Sequence, residues 1–384
     1  MKKLLLGIAM ALVAGSSFAD DYLSLTPEKF SLKPGETQDV ELVLNVAAQL
    51  SYTALQVQIA LPEGTRPAAL NADEIALYES LGIPVEAKYA QVTMPSFPAS
   101  ISGNFQVSTN VFEKGQDIYK TDAQNNKVYE RTTTKPELGI VLMSLSATPF
   151  PLGTQESLIK FRIEATDRCY TGEEGLDLTF ATLNTKDMTG YNPEDRLGAA
   201  LMTYSIDYTI GEDGYGTLCW PVALDFTPNG FDAGTGSLDG YFVKMNKVTT
   251  IPAATPVIIK GEPGTYSLTT TRAESFDDVS GNVLEGNPDA PLTVSNSNTF
   301  ALAKLNEGIG FYRCESGVII PQYKAYYNNS TSSVDAFLFE ETTGINKVEN
   351  NSGNAEVFTI SGMKVDKANK KGVYIVNGKK VVVK

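Results

Sequence analysis

The feature that most constrains this 384-residue chain is a period-two alternation of apolar and polar residues. In Leu55-Gln56-Val57-Gln58-Ile59-Ala60-Leu61 the apolar side chains fall on every second position. Ile159-Lys160-Phe161-Arg162-Ile163-Glu164 and Tyr204-Ser205-Ile206-Asp207-Tyr208-Thr209-Ile210 repeat the pattern. Successive side chains of a strand point to opposite faces, so such runs bury one face and wet the other, as antiparallel sheets do. Thr37 to Asn45 and Leu176 to Phe180 add weaker strands. Many strands separated by Gly and Pro turns predict an all-β chain of sandwiches or barrels. One helix is expected, Ala72 to Leu81, with Asn71 and Glu74 as a capping box and Ile75, Tyr78 and Leu81 facing inwards.

Both ends of the chain have a different texture. Lys2 and Lys3 precede an apolar run, Leu4 to Gly15, and Ser17-Phe18-Ala19 reads as a cleavage site that would leave Asp20 as the new N-terminus. That is the pattern of an export signal over residues 1–19, and the run is too short to span ~30 Å of hydrocarbon as a helix. No anchor of the mature chain in a membrane is therefore expected. An antiparallel sandwich with the one short helix follows over 20–211. Gly211-Glu212-Asp213-Gly214 marks a joint. Short buried strands such as Thr217-Leu218-Cys219-Trp220, Pro256-Val257-Ile258-Ile259 and Gly310-Phe311-Tyr312 then predict a second sandwich or barrel over 212–340. A polar linker is expected over 341–355, and a small β-module over 356–384, where Asn377-Gly378 between two apolar runs is a strong hairpin signal.

Charge narrows the possible roles. The chain carries 45 acidic and 31 basic residues, net −14. Without Lys2 and Lys3 that becomes −16; residues 346–384 hold eight lysines against three acids, so the body over 20–345 carries −21. Nucleic acid, held through Lys and Arg, is an unsuitable partner, and the basic tail on an acidic body points to modular construction. There is no histidine, which removes His-dependent nucleophilic catalysis and imidazole metal sites. No cofactor is expected. Calcium is the one ion the acidic body would suit, but no ligand residues stand out, and Asp122 to Lys127 reads as an ordinary polar turn. Cys219 and Cys314 fall in one predicted domain and would pair after export, or all three cysteines, Cys169 included, are simply buried.

Several segments resemble known families. Val357-Phe358-Thr359-Ile360-Ser361-Gly362-Met363-Lys364-Val365, followed by Gly372-Val373-Tyr374-Ile375-Val376-Asn377-Gly378 and a basic terminus, resembles the C-terminal sorting domain of Bacteroidota cargo for type IX secretion. The resemblance implies that Gly362, Gly372, Tyr374, Asn377 and Gly378 belong to a sorting motif read by secretion machinery. Residues 215–340 resemble a β-domain recurrent in Bacteroidota surface proteins, through Tyr215-Gly216-Thr217-Leu218-Cys219-Trp220-Pro221 and Ile251 to Gly261. Leu32-Lys33-Pro34-Gly35-Glu36-Thr37 and Leu55 to Gly64 resemble the opening strands of cohesin-like and carbohydrate-binding sandwiches, which bind a protein module or a glycan and catalyse nothing.

The expectation is an exported surface or secreted binding or adhesion protein, with the periplasm as the fallback location and a glycan or extracellular protein as partner. Trp220, Tyr323, Tyr326 and Tyr327 are the candidate ligand-stacking residues, since exposed aromatic faces supply amphipathic contact area. Trp220 follows an apolar run and precedes Pro221, which favours core packing for it instead. Tyr326 and Tyr327 are adjacent, so in a strand they face opposite ways, which leaves room for at least one to be exposed, although exposure is not binding. The alternatives are a structural envelope component, or a carboxylate-dependent glycosidase, which needs no histidine. For the latter nothing distinguishes Asp225, Asp232 or Glu285 among so many acids.

Overall fold

The computed structural model describes residues 22–45, 51–70, 72–80, 92–97, 99–121, 124, 126–151, 155–186, 190–191, 198–305, 307–339, 357–359, 364–365, 372–376 and 379–383. Ala19, Asp20, Asn71, Gly362, Asn377, Gly378 and the 341–355 segment lie outside them. The fold is all-β, and one compact unit reaches to Leu338 while a second begins at Phe339. Among the described residues no helix is long and apolar enough to cross a membrane.

The first half is a sandwich of a four-stranded and a seven-stranded sheet. The alternating runs form its spine. Gln155–Ala165 lies between Thr37–Asn45 and Thr65–Pro67, and sends Ile159, Phe161, Ile163 and Ala165 inwards. Tyr52–Ala60 sits between Glu137–Ser144 and Gly172–Thr185, and sends Leu55, Val57 and Ile59 into the core. Gly172–Thr185 is long enough to serve two partners. Its first half pairs with Ala200–Tyr204 and its second with Tyr52–Ala60. One pairing departs from the antiparallel expectation: Lys29–Leu32 runs parallel to Ala200–Tyr204. The expected helix spans Ala72–Ser80, and a four-residue helix at Ala99–Ser102 joins it. Arg162 ties the first helix to the sheet, donating to Asp39 and to Glu74 at 2.8 Å each.

The alternating run at 204–210 is not one strand. Ala200–Tyr204 ends in the seven-stranded sheet, and after Ser205 the strand Ile206–Ile210 pairs with Gly264–Thr270 in the second half. The change of sheet thus precedes the Gly211–Gly214 turn. The second half holds a four-stranded sheet and a nine-stranded one that curls towards closure. Its two ends approach through Val283 N–H to Gly236 O at 2.9 Å and Ala325 N–H to Thr217 Oγ1 at 3.2 Å. Only glycine fits at Gly236, because a Cβ there would stand 2.8 Å from Leu284 Cγ.

The two halves share one apolar core that includes Leu23, Ile163 and Tyr204 as well as Trp220, Ile259 and Leu268. A polar clasp closes over it. Thr171 N–H donates to Thr270 Oγ1 at 2.7 Å and Thr270 N–H returns to Thr171 Oγ1 at 3.0 Å. Tyr323 Oη donates to Asp167 at 2.9 Å, and Arg272 pairs with Glu174 while stacking over the Tyr170 ring.

The unit beginning at Phe339 is described from Val357 as a four-stranded antiparallel sheet of Lys364–Val365, Val357–Thr359, Gly372–Val376 and Lys379–Val383. Val357 and Tyr374 are buried in it. Val376 faces Lys379, the register that a two-residue connection produces.

Thr270→Val keeps the shape of the clasp but leaves the Thr171 N–H without its acceptor. Denaturant unfolding is expected to lose about 1–2 kcal/mol with an unchanged slope, since the halves share a core and unfold together. An unchanged midpoint would show that the clasp contributes nothing.

Candidate functional site

Three of the four aromatic candidates come to rest inside the protein, and Tyr323 is half-buried. Trp220 is buried in the core shared by the two halves, with its ring centroid 4.4 Å from that of Tyr323, which packs against that core. Tyr323 is held there in a left-handed backbone conformation, φ +66°. Tyr326 and Tyr327 do point to opposite faces, yet both are buried. Tyr327 packs on Phe300 and Phe337, with centroids 5.9 and 5.1 Å away. Tyr326 joins Val294, Cys314 and Ile320 in a small separate cluster. The room for one of the adjacent pair to be exposed is closed because this sheet is covered on both sides. The pairing of Leu292–Thr293 with Ile319–Ile320 supplies the second cover.

The cysteine pair is not formed. Cys169, Cys219 and Cys314 are all free and buried. Cys219 Sγ donates to Ala254 O at 3.4 Å and packs against Gly286, whereas Cys314 sits in the Tyr326 cluster, so the two thiols occupy different pockets. Among the described residues no group of three or more acidic or cysteine side chains is placed to hold a metal ion. The acids weighed for glycosidase chemistry are engaged in local bonds. Asp232 pairs with Lys247 at 2.5 Å, Asp225 accepts from Thr227 N–H at 2.9 Å, and Glu285 accepts from Asn328 Nδ2 at 2.8 Å.

The surface that stands out is the outer face of the seven-stranded sheet. Register and burial place three cross-strand rows there: Asn184, Ala54, Met143 and Gln106; Thr182, Gln56, Val141 and Ser108; Phe180, Gln58, Gly139 and Asn110. These twelve positions carry no charge, on four adjacent strands of a chain that is 20% charged. At about 4.8 Å between strands the field is roughly 14 Å wide. Met143 is 42% exposed, and Leu145 just past its strand is 63% exposed.

The outer face of the four-stranded sheet is the opposite case. There Arg162 faces Asp39, Lys160 faces Glu41 and Glu164 faces Arg66 across the strands. Burial alone would push the Asp39 carboxyl up, but hydrogen bonds from Lys160 and Arg162 outweigh it and hold that carboxyl below its usual range.

One end of the uncharged field is closed by ions. Arg131 grips Glu137, itself buried, at 2.7 and 2.5 Å, and donates to Gln58 Oε1 at 2.8 Å. Lys135 lies 3.7 Å from Asp177 in the same row. Arg131 belongs to the hairpin of Asp117–Thr121 and Lys127–Thr132, which presents Tyr119 and Tyr129 edge to face, centroids 6.1 Å apart. Both rings are more than half exposed. None of these residues stands out in the sequence as a candidate site residue. The signal was present, as uncharged residues at alternate positions of each strand, but which strands lie side by side is a tertiary fact.

No family model matches the chain, and no curated protein matches it. Among solved structures the chain is similar to cohesins. The cohesin of a type I cohesin–dockerin complex from Clostridium thermocellum is 8% identical, with 48% of this chain and 99% of that one covered at a TM-score of 0.30. A cohesin module from a Clostridium perfringens family 33 glycoside hydrolase is 10% identical over 50% of this chain and 99% of that one, TM-score 0.28. A non-cellulosomal cohesin from Archaeoglobus fulgidus is 9% identical over 48% and 91%, TM-score 0.25. No family is thereby assigned.

Burial pushes the Cys169 thiol up to about 12 and that of Cys219 to about 11, and raises Cys314 as well. The thiolate is the reactive form. At pH 8 the native protein is therefore expected to leave a thiol reagent unconsumed, and the denatured protein to consume three equivalents. A fast-reacting native thiol would contradict the burial.

Proposed function

We propose that this chain is an exported binding protein that docks a protein partner on the outer face of its seven-stranded sheet. The observation that carries this reading is the uncharged field of twelve positions on one outer face of a sandwich whose other outer face is laced with ion pairs. Charged residues are depleted at the centres of protein interfaces because desolvating an unpaired charge is costly, while Met and Tyr are enriched there. Here Val141 lies in the middle row and Met143 in the row next to it, with Tyr119, Tyr129 and Leu145 at the margins. Gln56, Gln58, Gln106 and Asn110 supply groups that both donate and accept, suited to an uncharged peptide surface.

A panel of extracellular and cell-surface proteins displayed against the full chain tests the reading. Met143→Glu with Ser108→Glu places two charges in the field at exposed positions. Unfolding stability is expected to stay within about 0.5 kcal/mol, while partner affinity falls at least ~30-fold, the equivalent of about 2 kcal/mol. Lys160→Glu on the other sheet serves as the control and is expected to leave binding intact. Equal binding by the double variant would remove the field from the reading.

Export to the surface or beyond is part of the same proposal, supported by Lys2, Lys3, the apolar run and the tail motif with Gly372 and Tyr374. Removing residues 356–384 is expected to strand the protein in the periplasm, followed by fractionation of producing cells; unchanged delivery would make the tail merely structural.

A further inference from the structure

We propose a second, separate binding site for an uncharged sugar unit, in a cavity of about 340 Å³ in the second half. Its volume falls within the ~300–1,000 Å³ of ligand-binding cavities. Two chemically different sides meet there. One is apolar, made by Leu292, Val294 and the buried ring of Tyr326. The other is hydroxyl and amide, including Thr293, Ser295, Asn298 and Ser330. No charged residue lines it, although the chain carries 76 charged residues in 384. An ionic ligand would therefore find no counter-charge, and a purely apolar one would strand the polar side.

A sugar fits both sides at once. Its C–H face packs on an apolar or aromatic wall. Its hydroxyls each donate and accept, as the serine, threonine and asparagine side chains opposite do. Those side chains are available. The hydroxyls of Thr293, Ser295 and Ser330 and the side-chain amide of Asn298 bond to no other group among the described residues.

The frame around them is held. Thr299 Oγ1 donates to Asn328 Oδ1 and Asn328 Nδ2 to Glu285, each at 2.8 Å. Asn329 N–H donates to Asn298 O and Asn298 N–H to Asn296 Oδ1, each at 2.9 Å. Thr293, Ser295 and Ser330 are exposed and Asn298 is half-buried, so a sugar would exchange their bonds to water for bonds to itself. No carboxylate is in the lining, and Glu285 behind it is held by Asn328, so the pair that glycoside hydrolysis needs is not in place.

Saturation-transfer NMR on the full chain tests this with galactose, glucose, mannose and N-acetylglucosamine. Each is offered at about 10 mM, above a weak dissociation constant of about 1 mM. At least one is expected to give a signal, and glucuronate a much weaker one. A neutral-glycan array distinguishes a free sugar from a residue within a chain: array binding well above monosaccharide binding marks the chain as the source. Asn298→Ala is expected to weaken binding about tenfold, and Ser330→Trp, at an exposed position, to abolish it by filling the cavity. Met143→Glu is expected to leave the sugar signal intact, so this site stands or falls apart from the outer face of the seven-stranded sheet. Silence from every neutral sugar and the array would overturn the proposal. So would equal binding of glucuronate, or full binding by both Asn298→Ala and Ser330→Trp.

Discussion

The apolar core that includes both Leu23 and Leu268 is the constraint on which the rest of residues 22–338 depends. Ser205 alone separates Ala200–Tyr204 from Ile206–Ile210, so the chain carries its alternation straight from one set of sheets into the next. Inward side chains on both sides of Ser205 feed the same core: Met202 and Tyr204 before it, Ile206, Tyr208 and Ile210 after it. A single residue is too short a connection to let the halves bury their surfaces independently. The Thr171–Thr270 clasp and the Tyr323–Asp167 bond then satisfy polar groups that this shared burial would otherwise strand. Tyr323 sits in a backbone region that costs a non-glycine residue of order 1–3 kcal/mol, and that conformation is what brings its ring onto Trp220.

Once the core is set, the two outer faces of the first half are free to differ, and they do. Charge on the four-stranded sheet is spent on its own neighbours, through Asp39 with Arg162 and Lys160 and through Glu164 with Arg66. A partner docking there would have to desolvate those ions. The four strands of the uncharged field offer amides, hydroxyls and short apolar groups instead, and at one end of it Arg131 bridges Glu137 to Gln58. Covering it strands few charges.

Much of the framework is readable from residue order. The runs at 55–61 and 159–164 predict strands with the faces they actually bury, because a half-buried strand forces a period of two on its residues. The helix at Ala72–Ser80 follows from local pattern in the same way. The small C-terminal sheet has the hairpin register that a two-residue turn between Val376 and Lys379 requires. The unbroken strand at 204–210 misleads for a specific reason. Alternation continues through Ser205 although the hydrogen-bonding partner changes there, and periodicity carries no information about partners. Tyr326 and Tyr327 mislead for a related one. Adjacency tells which faces they point to, but not that both faces of that strand are covered.

The sequence by itself determined the class of fold, the identity of the core-facing residues along each alternating run, the acidic body with its basic tail, and the loss of every histidine-based chemistry. These follow from properties that act locally or add up along the chain: side-chain period, turn residues and charge. Only the tertiary structure decided that four strands scattered from Tyr52 to Thr185 stand side by side and present one uncharged field, that three cysteines are buried apart, and that Tyr326 walls a polar cavity. Those depend on which distant segments meet, and the pairing of distant strands is settled by burying the whole core at once.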